Sequence, residues 1–332
     1  MNEATPVSPE AGDRSPEGPV HPRSPTPLPA ARKASDFLKR LFTAAILIPS
    51  VVYLISLGGL AYLGAVIVII LLGQREFYAM IEDKGAHPLV GFGLAAGGAL
   101  PVVAYVGTEY HATILMTVTL LVVMVLQLRK AQITEALASI SGTFFGVFYV
   151  GWLLSHAIVL REFHKAVTAR FGAGVTEQLG IAPDAGIFLM LLTLTIVVLC
   201  DAGAYFAGRR YGKHKLAPNI SPGKSVEGAI GGVLVGTAGG LAAKGIFGVL
   251  WPELSQFPGW TAVAVLGVAI SVVAILGDLI ESLLKRDARV KDAGRLLPGM
   301  GGMLDRIDSN LLGIPVMYYL LLCYVFIEVS SS

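Results

Sequence analysis

A polar stripe follows an uncharged stretch in the C-terminal third of the chain. Residues 260–277 carry no charge, and if their helix continues past Gly277, five polar residues fall on a single face. These residues are Asp278, Glu281, Ser282, Lys285 and Arg289. A carboxylate at a membrane boundary is costly unless it faces water or a partner, so it is a functional candidate.

A glycine-rich turn with two acids comes immediately before the last apolar stretch. Its residues run Pro298-Gly299-Met300-Gly301-Gly302-Met303-Leu304-Asp305-Arg306-Ile307-Asp308. Glycines let backbone amides approach a phosphate, and the N-terminus of the following helix favours an anion. Because Asp305 and Asp308 are three residues apart, they can share one helix face.

A third set of polar residues lies upstream, within residues 201–228. It contains Asp201, Ser221, Lys224, Ser225 and Glu227. Cytoplasmic segments of membrane proteins are rich in Lys and Arg. The basic residues taken alone are therefore explained as well by membrane orientation as by a binding site. The acids are not needed for orientation, and mixed charges among glycines favour a site for a phosphate and its metal ion.

The elements that must position these residues are membrane helices. The chain of 332 residues is 54% hydrophobic and only 14% charged, which excludes an ordinary soluble enzyme. No charge occurs from Leu41 to Gln74, and the Gly58-Gly59 pair divides this run into two crossings. Seven further uncharged spans follow at about 88–106, 112–128, 138–160, 185–200, 229–251, 260–277 and 310–327. The sequence therefore predicts an all-α polytopic membrane protein with about nine transmembrane helices.

The charge distribution predicts the orientation and the domain organisation. With a cytoplasmic N-terminus, the opposite side receives only Arg161, Lys165 and Arg170, so the C-terminus lies outside and the polar site faces the cytoplasm. Residues 1–34 are rich in Pro and Ser and predict a disordered tail. Residues 35–180 then form N-terminal membrane helices, and residues 181–332 form the catalytic region. A net charge of +2 gives no reason to expect nucleic acid as a partner.

These residues resemble the phosphatidate cytidylyltransferase family, which makes CDP-diacylglycerol. The C-terminal signature of that family matches Ser282, Lys285, Arg286, Lys291, Asp292, Pro298, Gly299, Met300, Gly301, Gly302, Asp305, Arg306 and Asp308. Upstream, the matching positions are Asp201-Ala202-Gly203-Ala204-Tyr205 with Gly208, and Ser221-Pro222-Gly223-Lys224-Ser225 with Glu227-Gly228. Two positions depart from the family pattern, where Met300 replaces the usual His and Val226 replaces an aromatic residue.

The resemblance implies a reaction, its substrates and its site residues. A phosphate oxygen of phosphatidate attacks the α-phosphorus of CTP and releases pyrophosphate, in a bacterial-type inner membrane. Asp278 and Asp305 are the implied ligands of Mg²⁺, alone or with a second cation, and the implied catalytic residues also include Ser282, Lys285 and Arg286. The implied substrate-binding residues are Asp201, Ser221, Lys224, Ser225, Glu227, Lys291, Asp292, Gly301, Gly302, Arg306 and Asp308.

Several alternatives stay open at the level of sequence. The chain could transport an anionic phosphorylated metabolite, with Lys244 and the acids at the helix ends lining the path. A cytidylyltransferase acting on an isoprenoid-type lipid phosphate is a rival within the enzyme class. The Met300 departure also permits an inactive membrane scaffold. The sequence does not distinguish a monomer from a homodimer.

Overall fold

The computed structural model is almost entirely helical. It describes residues 45–107, 109–129, 135–294, 296 and 301–331. The predicted tail at residues 1–34 lies outside the described residues, and so does Met300.

The N-terminal half consists of α-helices interrupted by one π-helical turn. They are α1 (Ala45–Leu57), α2 (Gly59–Glu82), α3 (Val90–Val106), α4 (Glu109–Leu128), α5 (Ala136–Gly146), the π-helical turn (Val147–Trp152), α6 (Leu153–Arg161), α7 (Phe163–Phe171) and α8 (Ala173–Gln178). Gly58 and Gly59 both have positive φ angles, of 62° and 55°, where α1 turns into α2. The predicted break at this glycine pair is therefore confirmed.

The C-terminal half contains longer helices and one small hairpin. Its elements are α9 (Ala185–Tyr211), β1 (Lys215–Ala217), β2 (Ser221–Ser225), α10 (Val226–Leu250), α11 (Pro252–Ser255), α12 (Trp260–Asp287) and α13 (Leu304–Ser331). The polar segment at residues 201–228 consists mostly of helix and strand. α9 and α10 extend into it, and β1 and β2 pair antiparallel with Lys215 opposite Ser225 and Ala217 opposite Ser221.

The chain has the helices of a polytopic membrane protein. Seven helical stretches among the described residues are long and apolar enough to cross a membrane, and the continuous helix from Ala136 to Arg161 is one of them. Two apolar helices, α1 and α3, are shorter. The predicted all-α membrane fold is confirmed, whereas the predicted count of nine spans is not.

Close helix contacts in the C-terminal half depend on small residues. A Cβ atom on Gly236 of α10 would lie 3.0 Å from the Ile196 carbonyl oxygen of α9 and 2.4 Å from Ser271 Oγ of α12. At Gly277 of α12, a Cβ atom would lie 2.8 Å from the Asp308 carbonyl oxygen of α13. Without a hydrophobic driving force between helices in lipid, such close backbone approach is a main source of association.

Two basic residues outside the predicted polar site make buried polar contacts within the fold. Arg161 is buried, donates through Nε to the Ile55 carbonyl oxygen at 2.8 Å and pairs with Asp184 at 3.2 Å. Lys244 is also buried and donates to the Ser255 carbonyl oxygen at 2.6 Å. Because its ammonium group joins α10 to α11, Lys244 does not support the transporter interpretation.

Candidate active site

A cavity of about 560 Å³ opens between α9, β2, α10 and α12. Three of the predicted site residues are charged and line it from three of these elements, namely Asp201, Lys224 and Asp278. The cavity wall also includes Ser225, which is one of the predicted substrate-binding residues, and Arg209, which is not. The polar residues that the sequence separates by up to 77 positions therefore meet at one end of the helix bundle.

The hairpin places Lys224 over the end of the cavity. Lys224 Nζ lies 2.6 Å from Asp278 Oδ2, and both side chains are largely shielded from solvent, at 23% and 33% exposure. Ser225 ends β2 and caps α10, because its Oγ accepts a hydrogen bond from Gly228 N at 3.1 Å. Arg286 Nε donates to the Ile220 carbonyl oxygen at 3.3 Å, which ties the hairpin to α12.

Three carboxylates form a cluster next to the cavity. One oxygen each from Asp278, Glu281 and Asp308 lies within 4.8 Å of the others. Asp278 and Glu281 are successive members of the predicted polar stripe on α12, and Asp308 comes from α13. Ser282 donates to Asp278 Oδ1 at 3.4 Å. The stripe is confirmed as far as Lys285, but α12 ends at Asp287, so Arg289 lies beyond the helix with a φ of 58°.

Asp305 has a different environment from the three clustered acids. Its Oδ1 lies 2.8 Å from Lys285 Nζ, while its Oδ2 accepts hydrogen bonds from Gly302 N at 2.8 Å and Ala293 N at 3.0 Å. Lys285 also pairs with Glu281. Gly301, which begins the described part of the turn, has a φ of 84° that favours glycine. Both oxygens of Asp305 are thus occupied by groups of the chain itself.

The donor set of the cluster fits a hard divalent cation. Two unit charges of the same sign about 4 Å apart repel by about 4 kcal/mol at an effective dielectric constant of about 20. Lys224 and Lys285 offset part of this repulsion. Solvent cannot screen the charge of Glu281, because that side chain is 0% exposed. Oxygen ligands are those that Mg²⁺ prefers. Asp278 and Asp308, together with Glu281, are therefore the residues suited to hold it.

Other predicted site residues lie around this centre. Glu227 accepts from Lys213 N at 3.0 Å and contacts His214, so it closes the hairpin against the start of α10. Lys291, Asp292 and Arg306 are exposed, and Ser221 is half-buried at the start of β2. Asp308 Oδ1 accepts from Ser309 N at 2.6 Å.

The prediction of the site missed Glu76, which belongs to the N-terminal half. Its Oε2 accepts a hydrogen bond from Leu304 N at 2.8 Å, at the N-terminus of α13. Cβ atoms on Gly294 and Gly302 would lie 2.3 Å and 2.4 Å from its carboxylate oxygens. The available signal was its position two residues after Gln74, where the uncharged run ends, which is the same boundary criterion that selected Asp278.

Comparison with known proteins shows the family of the chain. The model of the cytidylyltransferase family matches residues 38–324. A phosphatidate cytidylyltransferase of Synechocystis sp. is 34% identical over 292 residues, which cover 85% of this chain and 95% of that relative. The chloroplastic phosphatidate cytidylyltransferase 4 of Arabidopsis thaliana is 31% identical over 84% of this chain and 71% of its own length. The phosphatidate cytidylyltransferase of Haemophilus influenzae is 44% identical over 142 residues, which cover 41% of this chain and 46% of that relative.

Proposed function

Since the chain belongs to the cytidylyltransferase family, we propose that it makes CDP-diacylglycerol from CTP and phosphatidate in phospholipid biosynthesis. A phosphate oxygen of phosphatidate forms a bond to the α-phosphorus of CTP, and the bond to pyrophosphate breaks. The observation that carries this proposal is the meeting of Asp201, Lys224 and Asp278 on one cavity, because these residues come from the separate sequence segments that resemble the family.

The chemistry requires positioning and charge neutralisation more than proton removal. The second pKa of a phosphate monoester is about 6, so the attacking oxygen is largely ionised at neutral pH. The difficulty is to bring two polyanions together. Lys224 on the hairpin and Lys285 on α12 supply positive charge beside the cluster, and the exposed Arg306 adds to it at the start of α13.

The carboxylates supply the cation site in this proposal. We place Mg²⁺ on Asp278 and Asp308 with Glu281, and we keep Asp305 as a positioning residue for Lys285 and the glycine turn. This assignment differs from the predicted pair of Asp278 and Asp305, since both oxygens of Asp305 already contact Lys285 and backbone amides. When bound, the cation would neutralise phosphate charge as the pyrophosphate leaves.

The location of the site fits the two substrates. Asp278 lies within the last turns of a span-length helix, so the site lies at one end of the bundle, where a soluble nucleotide and a lipid headgroup can meet. We propose that this end faces the cytoplasm of a bacterial-type inner membrane and that the C-terminus lies outside. An impermeant maleimide should then label Ser330→Cys in intact cells and Lys213→Cys only after permeabilisation, in a Cys200→Ala/Cys323→Ala background.

The experiment that tests the function uses the purified full chain. Radiolabelled CTP, phosphatidate and Mg²⁺ should yield a lipid-soluble labelled product together with pyrophosphate. An isoprenoid-type lipid phosphate, offered in place of phosphatidate, should give little product. Preference for that acceptor would instead establish the rival enzyme. A chain that folds and binds CTP but forms no product with either lipid would refute the proposal.

A further inference from the structure

The last turn of α9 carries two adjacent arginines, and one of them lines the cavity. Arg209 and Arg210 are both exposed and both belong to this last turn. The cavity wall includes Arg209 but not Arg210. Five residues of α9 contribute to the wall at the spacing of one helix face, namely Asp201, Ala204, Tyr205, Gly208 and Arg209. The side of α9 that turns toward the cavity therefore distinguishes the two arginines.

The side chain of Arg209 is oriented by a neighbour on the same face. Its Nη1 donates a hydrogen bond to Tyr205 Oη at 3.1 Å, and Tyr205 also lines the cavity. Because Tyr205 lies one turn nearer the N-terminus of α9, the guanidinium lies back along the cavity wall, in the direction that helical side chains favour. A guanidinium has five N–H donors, so this single bond leaves further donors for a ligand.

The charges of the cavity wall are two acids and two bases. Lys224 Nζ lies 2.6 Å from Asp278 Oδ2, so its charge is already partly offset by a carboxylate. Within the described part of the chain, the hydrogen bond of Arg209 is to the neutral hydroxyl of Tyr205 and not to an acid. The positive charge of Arg209 is therefore available to an anion that enters the cavity.

The backbone amides at the start of α10 do not provide this anion site. Val226 N donates to the His214 carbonyl oxygen at 2.9 Å, and Gly228 N donates to Ser225 Oγ at 3.1 Å. A phosphate in the cavity must therefore take its charged hydrogen bonds from side chains. The planar guanidinium suits this role, because it can donate to two phosphate oxygens at once.

We propose that Arg209 is a substrate-binding residue whose guanidinium donates hydrogen bonds to a phosphate group held in the cavity. The volume of about 560 Å³ is in the range of sites for small molecules. The inference rests on the proposed function and adds a residue that the predicted site did not contain. Both substrates, CTP and phosphatidate, carry a phosphate, and separate measurements with each identify which one Arg209 contacts.

The test compares Arg209→Gln, which removes the charge, with Arg209→Lys, which keeps the charge but loses the two-pronged geometry. We expect kcat/KM for one substrate to fall by about 10-fold in Arg209→Gln, the lower end for hydrogen bonds to a charged group because the side chain is exposed. Arg209→Lys should lose less. If the contact is to CTP, KM for CTP rises and inhibition by pyrophosphate weakens. If it is to phosphatidate, only KM for phosphatidate rises.

Arg210→Gln is the matched control. It removes the same charge from the same helical turn, but the Arg210 guanidinium lies 5.8 Å from the centroid of the Tyr211 ring and outside the cavity wall. This variant should keep both KM values. Unchanged KM values in Arg209→Gln would overturn the inference. An equal loss in Arg210→Gln would also overturn it, because the effect would then come from general surface charge.

Binding measurements separate this inference from the proposed function. Calorimetry on the purified full chain gives the affinities for CTP and for a soluble short-chain phosphatidate without any turnover. If the wild type binds them but forms no CDP-diacylglycerol, the proposed function fails, and a weaker affinity in Arg209→Gln still supports the phosphate contact. Wild-type affinity for both compounds in Arg209→Gln would refute the contact whatever the activity.

Discussion

Two aspartates of the site, Asp278 and Asp305, differ in what their oxygens contact. Asp278 lines the cavity and faces two other carboxylates, with Lys224 as its counter-ion. Asp305 accepts from two backbone amides and contacts Lys285. At the scale of single residues, the same substitution should therefore have different effects at the two positions.

Asp278→Asn should reduce cytidylyl transfer by about 10²–10³-fold and leave stability nearly unchanged. The amide keeps the size of the side chain but removes a charged ligand from the cation site. Turnover as a function of Mg²⁺ concentration and Mn²⁺ binding by electron paramagnetic resonance measure the two effects. Asp287→Asn is the control, because Asp287 is 60% exposed and pairs with Lys84 at the surface. Equal damage from the control, or normal cation binding by Asp278→Asn, would contradict the assignment.

Asp305→Asn should also lower turnover, but together with stability. The carboxylate is largely buried, at 7% exposure, and organises both Lys285 and the glycine turn. Weakening these contacts should cost about 1–3 kcal/mol of the free energy of unfolding. A melting curve and Mn²⁺ binding on the same preparation test this. A variant with wild-type stability and no bound Mn²⁺ would restore Asp305 to the ligand set.

At the scale of elements, the contact between α12 and α13 sets the distance between Asp278 and Asp308. The two helices are in close backbone contact at Gly277, directly before Asp278, where the Asp308 carbonyl oxygen leaves no room for a side chain. The backbone at this crossing therefore positions two carboxylates at once. The hairpin has a comparable role for Lys224, since its strand pairing holds that side chain over the cavity.

Gly277→Ala should reduce turnover by about tenfold or more, since misplacing reacting groups by about 1 Å can cost about 10² in rate. The new methyl group would lie 2.8 Å from a backbone oxygen, so the helices must move apart. Gly64→Ala on α2 is the control, because nothing lies within 4 Å of its Cβ position. Turnover and melting temperature of both variants are the measurements. Full activity in Gly277→Ala would mean that the crossing does not position the acids.

At the scale of the whole molecule, one hydrophobic core joins the two predicted regions. It contains Ile55 and Phe77 from the N-terminal half and Leu311 and Val325 from the C-terminal half. Glu76, from the N-terminal helices, contacts the start of α13 near the proposed site. The division at residue 180 stays a prediction, but activity should require both parts in one folded chain.

Deletion of residues 1–33 should leave membrane insertion and turnover unchanged. The segment is rich in Pro and Ser, and the family match begins only at residue 38. Lys39 and Arg40 remain to orient the first span. Membrane fractionation and the CTP assay on the truncated chain check this expectation. A loss of either property would show that the tail contributes to folding or catalysis.

The sequence by itself determined the class of protein and much of the site. Apolar runs of span length indicate membrane helices whatever their partners, because lipid forces each backbone to satisfy its own hydrogen bonds. Helical spacing after Gly277 correctly placed Asp278, Glu281 and Lys285 on one face, since a local period needs no tertiary information. The predicted break at Gly58-Gly59 succeeded for the same reason.

Only the tertiary structure decided which acids share a cluster and which are already paired. Asp305 and Asp308 look equivalent in sequence. In the structure, however, the carboxylate of Asp305 already contacts Lys285 of another helix and accepts hydrogen bonds from the amides of Gly302 and Ala293. The partner of Glu76 was decided in the same way, because Leu304 lies 228 positions away in sequence. Contacts between distant segments depend on how helices cross, and that geometry is a property of the packed bundle rather than of any local pattern.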